Sequence, residues 1–549
     1  MDKTDVSHVE IAQDPRRDLD HVGQVELLKD NKVILIPAPS ADPKGIFSLS
    51  SWVRSLTRLD PLNLPPWRKW MLLILVSAYS CTAVVLASGM GPIFSVVVQS
   101  YPSQESKAND LMTYPTLFMG LGNFIAMPWA YTAGRRPIFL ASMLLLIGAG
   151  VWCQCSQSLG SHIAGRNIMS LAAGQSEALS PMIVQEIHFL HERGRKIAWF
   201  IFIQNIAAGI FFVVSTYMVS AWGWKWWYGF FTIMNAVIFV LSVIFVTESQ
   251  FDRPEEATMG QAPLDPKVID AMENATVSAH GTILDVAQYG PRRWKDDLKP
   301  CVLKPRLSDI PVFYKQILQG LCIPTVFWLL LLNGAHLGVY VFQSSTFSTI
   351  LMSPPYSFAF TSLGYVQAGQ IVSCLIFLPL LGYGGDLTIR ALSRRNNGLY
   401  QPEYRLLMMA IPAVIGTVCG IIYGQAAAYP DRWNVSAIVI AYNASFLAFL
   451  GANIVGITYA VDSFPRQAAP FLVVICAGRG LISFGLSYAT LPAVHTLGYD
   501  RTMIVETVIC AVLALIAIPV FFFGLRMRNY TQAWCTGPSS EDGGPVSKQ

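Results

Sequence analysis

Long apolar runs separated by short polar connections organise the chain between Trp70 and Leu525. They fall near residues 70–97, 112–131, 137–157, 162–187, 197–221, 225–247, 318–343, 358–382, 405–427, 435–460, 469–493 and 502–525. Each is close to the ~20 residues that a helix needs to cross the hydrocarbon of a bilayer. The runs form two sets of six, so the pattern predicts an all-α integral membrane protein with twelve transmembrane helices in two six-helix bundles.

The polar stretches mark the remaining boundaries. Residues 1–68 read as an N-terminal tail, 69–247 as the first bundle, 248–315 as a linker too polar to span, 316–525 as the second bundle and 526–549 as a C-terminal tail. No positive stretch followed by an apolar core opens the chain, so no cleavable signal is expected. With both termini cytoplasmic, the short inner connections carry Arg135, Arg136, Arg193, Arg195, Lys196, Arg390, Arg394, Arg395, Arg405 and Arg466, and the outer ones only Lys107, Lys225, Arg432 and Arg501. That excess sets the expected orientation, and with it cytoplasmic tails and linker. The expected location is a multi-pass position in the plasma membrane.

Composition agrees with the span count. Of 549 residues, 53% are hydrophobic and 13% charged, against roughly one quarter charged in an ordinary soluble domain. The net charge of +4 is small and no basic, aromatic-interleaved stretch occurs, so nucleic acid is not an expected partner. Eight of the ten cysteines fall in or beside apolar runs and no CxxC occurs, so neither a disulfide framework nor a metal site is expected. No cofactor is implied, and HExxH and GxxxxGK[ST] are both absent, which leaves metalloprotease chemistry and ATP drive without support.

Several motifs carry a resemblance: "DPLNLPPWRKW" before the first span, "GRRP" after the second, "FLHERGR" after the fourth, "WGWKWWYGF" entering the sixth and "TESQFDRP" after it. The second half adds "SRRNNGLYQPEYRL" and "YAVDSFPRQAAPFLVVICAGRGLISFGLSY". With these motifs the chain resembles the major facilitator superfamily, in particular fungal twelve-span drug:proton antiporters and low-affinity cation permeases. The resemblance implies a monomeric secondary active transporter that moves a small organic molecule, with protons as coupling ion and efflux of a drug or secondary metabolite as the leading activity. Uptake of an organic cation or other nutrient is the alternative, and a transporter-like receptor a more remote one. Three positions depart from the family pattern. Tyr131 stands where an acid is common, Asn205, Gly209 and Ile210 occupy the fifth-span glycine-proline motif, and Arg479-Gly480 replaces Lys-Asn.

Charges inside apolar runs are costly and mark function. Arg166 and Glu177 are eleven positions apart, about 1100° of helix, so they share one face about 16 Å apart. They are the proton-coupling candidates; for Arg166 that role comes from the resemblance. Glu186, about 900° beyond Glu177, points the other way. It is assigned to a gate with Glu192, Arg135, Arg136, Arg193, Asp386, Arg394 and Arg395. Arg479, mid-span in the eleventh run, is a candidate for an anionic or carbonyl-bearing substrate. Gln204, Asn205, Asn333, His336, Gln343, Gln367 and Asn443 complete the expected substrate cavity. Among the sequons only Asn434 falls in an outer connection, which makes it the glycosylation candidate.

Overall fold

The computed structural model describes residues 25–26, 28–29, 32–33, 61–102, 105–188, 190–250, 307–396, 399–464 and 467–535. The chain is helical almost throughout, for the reason the apolar runs suggest: a backbone in hydrocarbon must satisfy its own hydrogen bonds. The first half contains α1 (Pro66–Ser88), α2 (Asp110–Ala133), α3 (Arg135–Cys155), α4 (Leu159–Glu186), α5 (Leu190–Trp222) and α6 (Trp224–Phe245). The second contains α7 (Pro324–Met352), α8 (Ser362–Arg395), α9 (Ala410–Ala428), α10 (Val435–Ser463), α11 (Ala468–Val494) and α12 (Thr496–Thr531). Among the described residues, ten helices are long and apolar enough to cross a membrane. The two others, α2 and α4, have the length, at 24 and 28 residues, but carry more polar side chains.

Local chemistry sets several boundaries. Gly134, Gly223 and Gly498 have φ of 110°, 82° and 84°, a region open to glycine, and turn the chain between α2 and α3, between α5 and α6, and at the start of α12. Ser158 caps α4 by accepting from the Ser161 amide, and Asn434 caps α10 by accepting from the Ser436 amide. The exposed Asn434 side chain is therefore already engaged through its oxygen.

Two boundaries differ from the hydropathy reading. The seventh run was placed at 318–343, whereas α7 begins at Pro324, whose ring starts a new helix, and extends to Met352. The residues before it form a separate amphipathic helix, Asp309–Cys322, which packs on α2 and α11. The segment "GYGGDLTIRALSRR", which runs on from the end of the eighth apolar run at 382, is helical and extends α8 to Arg395. Its glycines do not break it because the intrahelical bonds continue through them.

The two halves meet along two seams, α5 against α8 and α2 against α11. The largest buried apolar cluster crosses the boundary, from Leu73 and Val76 on α1 to Phe471 and Ile475 on α11. A second cluster, around Phe342, Phe347, Tyr423 and Tyr442, belongs to the second half. Most of the polar tail and linker (residues 1–24 and 251–306) lies outside the described residues, but Val25–Glu26 pairs antiparallel with Leu399–Tyr400, beside the start of α9.

Candidate functional site

Glu177 on α4 and Arg479 on α11 form an ion pair across the boundary between the halves, Nη2 to Oε2 at 2.6 Å. Glu177 lies nine residues before the end of α4 and Arg479 eleven after the start of α11, about 14 and 16 Å from the same face of the molecule. The backbones around the pair are close. A Cβ on Gly480 would stand 2.7 Å from the Thr116 carbonyl oxygen, and one on Gly120 would stand 2.6 Å from that of Ala477. Only glycine permits this α2–α11 approach, which seals one flank of the pair.

The Arg479 side chain is 5% exposed and that of Glu177 17%. The Nε and Nη1 atoms of Arg479 are buried and have no polar partner among the described residues. Ser483 and Ser487 follow Arg479 by four and eight positions, within about 80° of one face, and their hydroxyls are also buried without partners. This stripe runs between two packed edges of α11: Ile482 and Leu486 fill the gaps at Gly334 and Gly338 of α7, and Ala477 and Gly480 meet α2. On α4, the hydroxyls of Ser170 and Ser180 flank Glu177 and are buried without partners too. The interface between the halves thus holds one balanced charge pair and a surplus of unused donors.

Arg166 takes no part in that pair. Its guanidinium donates to the carbonyls of Leu86 at 3.3 Å and Ala87 at 2.8 Å, the last turn of α1, to Leu111 O at 3.0 Å and to Tyr228 Oη at 3.0 Å. The negative end of the α1 dipole offsets its charge. His162 extends the network through Tyr228 at 2.8 Å. Arg166 and Glu177 share a helix face, as their spacing indicates, but act on different partners.

The gate candidates divide similarly. Glu186 accepts from Arg135 Nη2 at 2.9 Å and Nε at 3.2 Å, and its second oxygen accepts from Ser249 Oγ at 2.6 Å. Glu248 caps α3, receiving the Arg135 amide at 2.9 Å and the Arg136 amide at 3.2 Å. Arg136 donates to the Val243 carbonyl. The Tyr131 ring lies 5.4 Å from the Arg135 guanidinium carbon, a cation–π contact at the position where the family commonly has an acid. Glu192 pairs with Arg195 on its own helix at 3.9 Å, not with Arg135. Arg394 and Arg395 are exposed, and the side chains of Arg193 and Asp386 lie outside the described residues.

The second half repeats this construction with residues that the sequence reading did not assign to the gate. Arg405, at the start of the ninth span, pairs with Asp462 at the end of α10 at 2.6 Å, and Tyr400 donates to the same carboxylate. Arg528, in the last turn of α12, pairs with Glu403. Arg135–Glu186 and Arg405–Asp462 thus occupy equivalent places in the two halves. Glu248, just after the last helix of the first half, and Arg528, in the last turn of the last helix of the second, both clamp the start of the third. The acids after α6 and within "QPEYRL" were the available signals, but sequence gave them no partners.

The remaining polar candidates do not converge on one cavity. Gln343, Gln367 and Asn443 are buried in the second half, as is Gln370, whose Nε2 donates to Tyr340 at 2.9 Å and Tyr442 at 3.4 Å. Tyr340 stacks on Phe449, ring centroids 5.8 Å apart, and Asn443 donates to Val366 O across to α8. Asn333 and His336 instead bond the carbonyls of Leu329 and Leu332 on their own helix, and Asn205 does the same to Ile201. Gln204 is half-buried on α5. A cavity of about 540 Å³ between α9 and α12 is lined by Leu406, Val414, Val418, Ala514, Ile518 and Phe522; it is apolar and contains none of these candidates.

Bundles of membrane-length helices with a charge pair at their common interface define a multi-pass membrane protein. The family model described as Major Facilitator Superfamily matches residues 71–475, and the chain belongs to that family. An uncharacterized MFS-type transporter of Schizosaccharomyces pombe, C1271.10c, is 23% identical, with 92% of this chain and 90% of that protein covered. A probable efflux pump of Aspergillus flavus, mfs2, is 20% identical over 75% of this chain and 91% of its own length. The solved proton:xylose symporter XylE has the same fold, with a TM-score of 0.57 at 13% identity over 83% of this chain and 96% of that one.

Proposed function

We propose that this transporter moves a small organic molecule through the plasma membrane by rocking one half against the other, driven by protons through Glu177 and Arg479. The observation that carries the reading is the 2.6 Å pair between α4 and α11. An ion pair that joins two moving bodies must break in each cycle, and a buried carboxylate separates most readily when a proton neutralises it. The end of the molecule bearing Arg135 and Arg405 is the cytoplasmic one, by the excess of arginine there. The chain acts as a monomer, since the ion pair that joins the two halves lies within one polypeptide.

The name of the Aspergillus flavus relative supports efflux of a drug or secondary metabolite. Uptake is the second reading. It is favoured by an arginine at position 479 in place of the family's lysine and by the lost glycine-proline motif at Asn205, Gly209 and Ile210.

Sealed vesicles with an imposed pH gradient test the coupling, with labelled anionic, neutral and cationic organic probes compared between wild type and Glu177→Gln. Wild-type flux should follow the gradient in one direction, and the variant should exchange probe without that dependence. Gradient-driven flux unchanged in the variant removes Glu177 from the coupling.

A further inference from the structure

We propose that Arg479 is an anion subsite, and that the substrate is an organic carboxylate, or an equally compact organic anion, carried in the same direction as one proton on Glu177. The proposal rests on the coupling reading above, adds the substrate class and the sign of the linkage, and with that sign selects uptake, the second reading, over proton-driven efflux.

Three observations carry it. Arg479 presents a guanidinium whose Nη2 is bound to Glu177 while Nε and Nη1 are buried and unpartnered. A planar carboxylate is the group that a guanidinium edge binds through two parallel hydrogen bonds; Nε and Nη1 lie on different edges, so the incoming carboxylate takes one of them together with the second hydrogen of Nη2. The hydroxyls of Ser483 and Ser487, on the same face of α11, and of Ser180 and Ser170, one and two turns from Glu177 on α4, are further buried donors without partners among the described residues. An organic cation would find at this interface a permanent positive charge and a single carboxylate already committed to it.

Charge balance then fixes the linkage. With Glu177 ionised and no substrate, the site is neutral: one guanidinium, one carboxylate. A substrate anion added beside ionised Glu177 leaves an excess negative charge, and a proton on Glu177 without the anion leaves an unpaired arginine; both are costly in a low-dielectric interior. With the proton taken from water onto Glu177 and the anion on Arg479, the site is neutral again. The half-movements across the membrane are therefore open to the empty site and to the site holding proton and anion together. Each ligand raises the affinity for the other by the same factor, because binding linkage is reciprocal. Other ionisable side chains in the middle turns of the packed helices are Tyr79 and Cys81 on α1, His336 and Tyr340 on α7, the latter bound by Gln370, and Cys476 on α11. Tyr79 is bound by Gln175, and His336 by its own helix, so Glu177 is the acid in contact with Arg479.

Such a site moves the anion inward under an inward proton gradient, and outward when the substrate gradient exceeds it. The direction of net transport then follows the gradients, while the sign of the coupling does not change.

The test uses full-length protein in detergent and three probes of one shape: benzoate, benzamide and benzylamine. Thermal stabilisation is measured in wild type, Glu177→Gln, and the double variant Glu177→Gln/Arg479→Gln, with proton uptake recorded in weak buffer. Benzoate should stabilise wild type with uptake of close to one proton per molecule bound. In Glu177→Gln, where nothing competes for Arg479, it should bind about tenfold more tightly and without proton uptake. The double variant, neutral and so spared an unpaired buried charge, should lose the preference for benzoate over benzamide. Benzylamine as the strongest ligand, or equal responses to all three probes, or no benzoate effect on Glu177→Gln up to its solubility, overturns the anion subsite. Benzoate binding without proton uptake in wild type overturns the shared transport. Gradient-independent flux in vesicles, with these binding results intact, counts instead against the transport coupling and leaves the subsite standing.

Discussion

Arg528 at the end of α12 and Glu403 at the start of the ninth span are joined by two bonds, Nε to Oε1 at 3.0 Å and Nη2 to Oε2 at 2.9 Å. Their side chains are 0% and 3% exposed. A buried pair of this geometry is worth little relative to an apolar replacement, yet removing one member leaves a bare charge. Arg528→Met alone should lower stability by about 3 kcal/mol or more, and Arg528→Met/Glu403→Leu should recover most of that. Thermal unfolding in detergent reads both; equal losses in single and double variants would argue against the pair.

Glu248 holds the amides that open α3. Glu248→Ala removes a cap and exposes the N-terminal dipole to no counter-charge, at a cost of about 1–2 kcal/mol. Glu248→Gln keeps one acceptor and should cost less. The order of the two melting temperatures checks this.

A methyl group at Gly480 would meet the Thr116 carbonyl, which is backbone and cannot turn aside. Gly480→Ala should therefore push α11 from α2 and disturb the register of the Glu177–Arg479 pair. Flux in vesicles should fall about tenfold while expression is maintained, since about 1.4 kcal/mol of misplacement gives a tenfold effect. Unchanged transport would show that the seam tolerates separation.

The stability of the Glu177–Arg479 pair should be strongly non-additive. Glu177→Gln and Arg479→Gln each strand a buried charge, and the double variant does not. A double-mutant cycle by thermal unfolding should return a coupling of about 3 kcal/mol. A value near zero would mean that the charges are solvated independently.

His188 lies between α4 and α5, outside the spans. Burial pushes its imidazole down from 6.5 to about 4, and Lys69 and Lys196 act in the same sense against the opposing bond to the Val184 carbonyl. The folded state then holds fewer protons than the unfolded chain between those values, so stability is full above about pH 6.5 and falls as pH drops toward about 4. His188→Gln should flatten that part of the pH–stability curve; an unaltered acid slope would assign it to other groups.

Hydrophobic periodicity was enough to read the helices, because a bilayer leaves a spanning segment little choice but to satisfy its own backbone. It erred where the solvent changes along one helix: α8 continues beyond the apolar stretch to Arg395, and Pro324 divides an apolar run into an amphipathic helix and a span. The helical repeat puts Arg166 and Glu177 on one face and turns Glu186 away, and the structure gives the three residues separate partners.

What a sequence cannot hold is the partner of a charge on another helix. Glu177 lies 302 positions from Arg479, by the difference of their numbers, and only the crossing of α2, α4 and α11 brings them to 2.6 Å. The same is true of Glu248 and Arg135, and of Glu403 and Arg528. Sequence alone identified Arg166, Glu177, Glu186 and Arg479 as costly charges, and the medium that makes them costly, but not the buried Glu403 and Arg528. Tertiary structure determined how each was neutralised, since a charge in low dielectric takes its partner from whichever helix packing places beside it.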